Sequence, residues 1–80
     1  MSLRIIIKSA QIRGWISERS GQAARRRNTD GDLAVLFDGD KTDYENLSVD
    51  ELVEAMKANQ LVLLVDQEAG KMFHKFVRHG

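Results

Sequence analysis

The chain has 80 residues, of which 42% are apolar and 30% charged, and its formal net charge is zero. This length allows a single domain spanning residues 1–80, and its thin core leaves little room for a large substrate cleft. The absence of cysteine excludes disulfides and thiolate metal sites, so a homo-oligomer, most simply a homodimer, is the expected supplement to that core. No apolar run reaches the roughly 18–20 residues of a membrane span. We therefore expect a soluble cytoplasmic protein without a membrane partner.

The first seventeen residues predict strand structure. Leu3, Ile5 and Ile7 alternate with polar side chains, which is typical of a half-buried strand with Ile6 on the wetter side. The alternation continues through inward Ile12, Gly14 and Ile16 against outward Arg13, Trp15 and Ser17. Residues 3–17 are therefore interpreted as one long strand bent near Ser9 or Gly14, or as two separate strands.

Residues 17–46 contain one clear strand between less regular segments. Residues 23–28 are interpreted either as a short strand or as part of a mobile basic loop covering residues 17–31. The pair Asp30-Gly31 is a hairpin signal. The continuous apolar run Leu33–Phe37 predicts a buried strand, and the polar residues 41–46 predict a loop.

The clearest element is an amphipathic helix at about residues 48–59. Ser48 and Glu51 have the spacing of a capping box, in which each side chain accepts a hydrogen bond from the other residue's amide. The next apolar residues recur at helical spacing and form one face: Val49, Leu52, Val53 and Met56. Asn59 is expected to end the helix in the left-handed conformation.

The C-terminal third predicts two further strands. The five-residue apolar run 61–65 is typical of a strand covered on both faces. Gly70 suits a hairpin connection that needs a positive φ. Residues 71–78 fit either a helix face or a strand, and the turn at Gly70 favours the strand.

These elements give the order β-β-β-α-β-β and an α+β fold. The expected architecture is a small, mainly antiparallel sheet or open barrel with one helix, in the strand order of an OB fold. Because unrelated functions occur on one fold, this order alone indicates no activity.

Charge is distributed unevenly along the chain. Residues 1–27 hold seven cationic side chains and one acid, residues 28–56 hold nine acids and one lysine, and the remainder holds four cations and two acids. Such asymmetry indicates compensation within the fold, head-to-tail contact between copies, or a basic patch for a polyanion.

A basic and aromatic surface is the candidate nucleic-acid site. Arginine forks match phosphate geometry, and an exposed tryptophan offers a stacking surface for unpaired bases. The candidate residues are Arg13, Trp15, Arg19, Arg25, Arg26 and Arg27, extended by Lys71 and Lys75. Two observations weigh against it: a lone tryptophan can be consumed by the core, and a sequence isoelectric point near 6.7 is low for a nucleic-acid binder.

The sequence predicts no metal, cofactor or catalytic residue. Residues 38–43 begin like a calcium loop, but Asp43 and Val49 stand where an EF-hand needs glycine and glutamate. His74 and His79 have no carboxylate or hydroxyl at the spacing of a triad or zinc site.

We therefore expect a non-enzymatic protein, and two functions remain open. The first is a small nucleic-acid-binding domain, single-stranded or weakly specific, that uses the basic and aromatic surface. The alternative is a protein-interaction module, such as a small regulator or inhibitor, that is homodimeric and acts through its charge-segregated faces.

Overall fold

The computed structural model describes residues 2–37, 39 and 41–79. In chain order the elements are β1 (Leu3–Ile6), α1 (Ser9–Glu18), β2 (Gln22–Arg26), β3 (Leu33–Leu36), β4 (Tyr44–Asn46), α2 (Val49–Ala58), β5 (Leu61–Asp66) and β6 (His74–Arg78). The strands form a first sheet, β1-β5-β6, and a second sheet, β3-β2-β4. All pairings are antiparallel, so the α+β prediction is confirmed. The two sheets are not closed into a barrel, and the OB-like order stays a prediction.

Residues 9–17 are helical, so the long N-terminal strand was a wrong prediction. Ile12, Trp15 and Ile16 lie at i, i+3 and i+4 and are all buried. Residues four apart share a face in a helix and also in a strand, and the alternation of Ile12 with Ile16 therefore fits both. Gly14 lies within α1, and a side chain at this position would face open space. The described residues contain two helices rather than the single one expected.

The strand β1 is present, but its two faces are the reverse of those predicted. Ile6 is buried at 4% exposure, whereas Leu3, Ile5 and Ile7 are 46%, 59% and 54% exposed. Ile6 pairs with Leu63 of β5, and both belong to the core. The alternation separated the two sets of side chains correctly, but it could not decide which set faces inward.

The helix α2 and its capping box are confirmed. The Glu51 amide donates to Ser48 Oγ at 3.1 Å, and the Ser48 amide donates to Glu51 Oε1 at 2.8 Å. The C-terminal prediction was wrong by one residue, since Asn59 has φ −106° and Gln60 has φ +56°. The Asn59 side chain instead donates to the Ala55 carbonyl at 2.8 Å.

The remaining elements divide into confirmed strands and one missed strand. The strands near 23–28, 33–37, 61–65 and 71–78 are confirmed by β2, β3, β5 and β6, and Gly70 has the expected positive φ of 79°. The expected cover on both faces of β5 was wrong, because Leu63 and Val65 are buried whereas Val62 and Leu64 are only partly buried. Residues 41–46 are not all loop, because Tyr44–Asn46 pair with β2. The segment 17–31 is likewise not one loop, since it contains β2.

The core lies between the helices and one face of each sheet. α2 contacts α1, β5, β2 and β3. The largest fully buried side chains come from both helices and from β5: Ile12, Leu52, Met56, Leu63 and Val65. Across the described residues, neither helix has the length and apolar character that crossing a bilayer requires.

Candidate interaction surface

Trp15, the expected stacking platform, is buried inside the protein. Its side chain is only 6% exposed, and its indole N–H donates to the Asp66 carbonyl at 2.8 Å. Its ring centroid lies 6.0 Å from that of Phe37 and 5.8 Å from that of His74. Because the indole is enclosed by these contacts, it presents no face on which an unpaired base could stack.

Arg19 is also buried, and its role is structural. Its guanidinium donates to four backbone carbonyl oxygens at 2.5–3.2 Å: those of Trp15, Asp66, Glu68 and Lys71. The guanidinium carbon also lies 4.4 Å from the centroid of the Trp15 ring. A fork of fixed donors suits several carbonyls at once. Arg19 therefore joins the end of α1 to the connection between β5 and β6.

The other arginines do not share one surface with the indole. Arg25 bonds Glu45 at 2.6 Å across β2 and β4, and Arg13 on α1 lies 3.4 Å from Asp50 on α2. Both members of the Arg13 pair are more than half exposed, where such a pair contributes little. Arg27 donates to the Thr42 carbonyl at 2.9 Å. Arg26 is exposed, and its guanidinium forms no hydrogen bond or ion pair with the described residues.

The two predicted lysines belong to a different part of the molecule. Lys71 is exposed in the connection between β5 and β6, and Lys75 is exposed on β6. Lys75 pairs with Leu64, which pairs in turn with Ile5. Lys75 therefore projects among apolar side chains of the first sheet rather than among the arginines.

The first sheet has an apolar face that turns away from the core. Residues opposite one another in a sheet share a face, and the pairings place one set of side chains together: Leu3, Ile5, Val62, Leu64, Lys75 and Val77. Asp66, which is opposite Leu3, lies on the same side of the sheet but is buried. Ile7 and Phe73 continue the alternation of β1 and β6. We call these eight residues the outer face. Their neighbours Ile6, Leu63 and Phe76 point the other way and pack in the core.

The outer face holds most of the exposed large apolar side chains of the described residues. The five side chains in that class are Leu3, Ile5, Ile7, Met72 and Phe73. Four of them belong to the outer face, and Met72 directly precedes Phe73 in the chain. A contiguous exposed patch of this kind marks an interaction site more often than scattered apolar residues do.

A groove of about 370 Å³ lies at one end of the outer face. Ile5, Ile7 and Val62 form one wall, and Val53 and Met56 of α2 contribute buried apolar surface. Lys57 and His79 also line it, and no aspartate or glutamate does so among the described residues. Its polar groups are therefore cationic or neutral.

The one acid of the first sheet is committed to the fold. Asp66 is 4% exposed, and its carboxylate accepts from the Glu68 amide at 3.0 Å and from the Ser2 amide at 3.4 Å. The Glu68 hydrogen bond is the main cause that lowers the Asp66 pKa. Asp66 therefore supplies no free carboxylate to the outer face.

A second concavity, of about 570 Å³, lies beside α2 and carries the opposite charge. Arg25 lines it together with Asp50, Glu51 and Glu54. The Ser48 amide holds the pKa of Glu51 below its ordinary value, because this hydrogen bond favours the carboxylate. The described residues contain no group of three potential metal ligands, and Asp38 and Asp40 of the predicted acidic loop lie outside them.

Sequence reasoning missed the outer face although the sequence carried a signal for it. Three consecutive isoleucines, Ile5, Ile6 and Ile7, place large apolar side chains on both sides of a strand. In so small a domain only one side of an edge strand can meet the core. No family model, curated protein or solved structure matches the chain.

Proposed function

We propose that the chain is a small protein-interaction module that binds a different protein through the outer face of the first sheet. The observation that carries this proposal is the exposure of Leu3, Ile5 and Ile7, at about half of each side chain, on one face of an edge strand. Leaving such side chains in water is costly, and covering them on binding is favourable by roughly 25 cal/mol per Å².

The chemistry of the surface favours a protein over a nucleic acid. The outer face is aliphatic apart from Phe73 and Lys75, whereas single-strand binders combine a cationic groove with exposed aromatic rings. Trp15 is buried, and Arg19 and Arg25 are held by carbonyl and carboxylate oxygens. Nucleic-acid binding stays a prediction, without the stacking surface on which it depended.

Charge favours a different protein over a second copy. Lys75 stands on the outer face, and exposed Lys8, Lys57 and Arg78 lie on or beside the segments that frame it. Two copies packed face to face would bring these cations toward one another, and like charges at an interface oppose association. A partner with an apolar centre and acidic margins is complementary to the same surface.

Site-specific cross-linking tests this proposal directly. Because the chain has no cysteine, Ile5→Cys and Thr42→Cys variants can each carry one thiol-linked photoreactive group, on the outer face and on an exposed control position. We expect an adduct to a second protein from position 5 only. Lys75→Glu in the Ile5→Cys background should reduce its yield at least threefold, and high salt should reduce it as well.

Three results would contradict the proposal. Equal yields of the adduct from positions 5 and 42 would mean that the partner does not prefer the outer face. An adduct joining two copies of this chain would establish the homodimer instead. Salt-sensitive binding of a single-stranded oligonucleotide, with no protein adduct from position 5, would restore the nucleic-acid function.

A further inference from the structure

We infer that the groove beside α2 receives a large apolar side chain from an acidic segment of the partner. This inference rests on the proposed function, because the groove is continuous with the outer face through Ile5, Ile7 and Val62. It adds the chemical class of the partner segment and the place where its anchor residue lies.

The dimensions of the groove suit a side chain rather than a folded element. Its volume is about 370 Å³, which lies at the small end of the range of ligand pockets. Its deepest side chains, Met56 at 2% exposure and Val53 at 7%, are themselves core residues. A methionine can adjust its shape to different apolar groups, so the groove can accept leucine, methionine or phenylalanine.

Charge at the rim indicates what flanks the anchor. Lys57 lies in the last turn of α2 and is exposed at the groove, where His79 also lies. Among the described residues, no aspartate or glutamate lines the groove beside the lysine. Aspartate or glutamate next to the anchor would pair with Lys57 where water is partly excluded, and the pair would strengthen as the groove fills.

The test uses a blocked hexapeptide as the probe, acetyl-EELFEE-amide, with acetyl-KKLFKK-amide and acetyl-EESSEE-amide as controls. Binding to the isotopically labelled full chain is followed by NMR. We expect the largest amide shifts at residues lining the groove, including Ile7, Lys57 and Val62. We also expect at least fivefold weaker binding of each control peptide.

Two matched variants separate the groove from general electrostatics. Lys57→Gln removes the positive charge at the rim of the groove without adding an acid near the end of the helix. It should weaken binding of the acidic peptide at least threefold. Lys41→Gln removes an exposed lysine outside the groove and should leave binding unchanged. Both variants leave the isoleucine, valine and methionine side chains of the groove in place, so an effect confined to Lys57 reports on the groove rather than on the overall charge of the chain.

Several outcomes would overturn the inference. They are no binding of the acidic peptide at millimolar concentration, equal binding of the basic peptide, or shifts centred away from the groove. Shifts at the groove with phosphatidylserine vesicles, but not with the peptide, would identify a membrane surface instead. If the acidic peptide does not bind, while the adduct from position 5 still forms and still depends on Lys75, the inference about the groove is wrong and the proposed function is retained.

Discussion

The two sheets have the same number of strands and the same antiparallel pairing, but their faces away from the core differ in composition. In the second sheet, Ala24 is paired with Ala34 on one side and Asn46 on the other, and Ala24 itself is fully buried. In the first sheet, the corresponding positions hold Ile5, Leu64 and Lys75. Equal backbone pairing therefore supports one sheet whose central side chain is enclosed by the fold and another that leaves a large apolar side chain, Ile5, in solvent.

The difference shows how surface and support are divided in this chain. The charged side chains of the first third were expected to form the binding surface, yet several of them stabilise the fold. Leu3, Ile5 and Ile7, which were expected in the core, are instead exposed. Substitutions that alter one face or one supporting contact at a time test this division.

The largest effect on stability should come from shortening a side chain on the core side of β5, compared with one on its outer side. Leu63 is fully buried, while its neighbour Leu64 lies on the outer face. Leu63→Ala should lower the free energy of unfolding by about 2–5 kcal/mol through lost burial and a cavity. Leu64→Ala should cost less than half as much, as measured by urea unfolding. Equal losses in the free energy of unfolding would mean that Leu64 is packed as closely as Leu63 and that the outer face is already covered.

The support of the first sheet by Arg19 gives the next prediction. Arg19→Ala leaves four carbonyl oxygens without their guanidinium donor and should cost about 3 kcal/mol. Arg27→Ala, which removes one exposed contact to Thr42, should cost less than about 1 kcal/mol. Thermal or urea unfolding of both variants measures the difference in the free energy of unfolding. An Arg19→Ala variant as stable as the original chain would refute the structural role.

A smaller effect is expected at α2, which both sheets contact. Ser48→Ala removes the side chain that accepts from the Glu51 amide and should cost about 1 kcal/mol. Because α2 packs on both sheets, we expect one cooperative transition by circular dichroism and by Trp15 fluorescence. Separate transitions would show that the sheets unfold independently.

Acid should weaken the connection between β5 and β6 through Asp66. Its folded pKa is lowered by the Glu68 amide, so the unfolded chain takes up the proton first as the pH falls. The contribution of Asp66 is complete above the unfolded value of about 3.9 and is lost as the pH falls through the folded pKa. The free energy of unfolding, measured from pH 6 to pH 2, should therefore depend less on pH in Asp66→Asn than in the original chain. If the stability of Asp66→Asn depended on pH as strongly as that of the original chain, Asp66 would not be the cause of the acid sensitivity.

The sequence carried enough information for the elements with strong local signals. The capping box of Ser48 and Glu51, the apolar runs of β3 and β5, and the glycine of the last hairpin each act through neighbouring residues. The helix α1 was missed because Ile12 and Ile16 satisfy both periods. The decisive side chain was Trp15, whose burial completes the helical face and depends on the distant Asp66 carbonyl.

The candidate surface was less predictable than the fold, because it depends on which side of β1 meets the core. That choice is made by β5 and α2, about sixty and fifty residues along the chain from Ile5. Similarly, three of the four carbonyl partners of Arg19 come from the end of β5 and the connection that follows it, which the residues around Arg19 do not reveal. Only Lys75 among the predicted site residues lies on the outer face.

The most direct test of the account is the reactivity of single cysteines on β1. Ile5→Cys and Ile6→Cys place a thiol on opposite faces of one strand, and Thr42→Cys provides the exposed reference. In the free chain, a soluble thiol reagent should label position 5 about as fast as position 42, and position 6 at least about 100-fold more slowly. Equal protection of positions 5 and 6 would contradict the account, because the outer face would then already be covered.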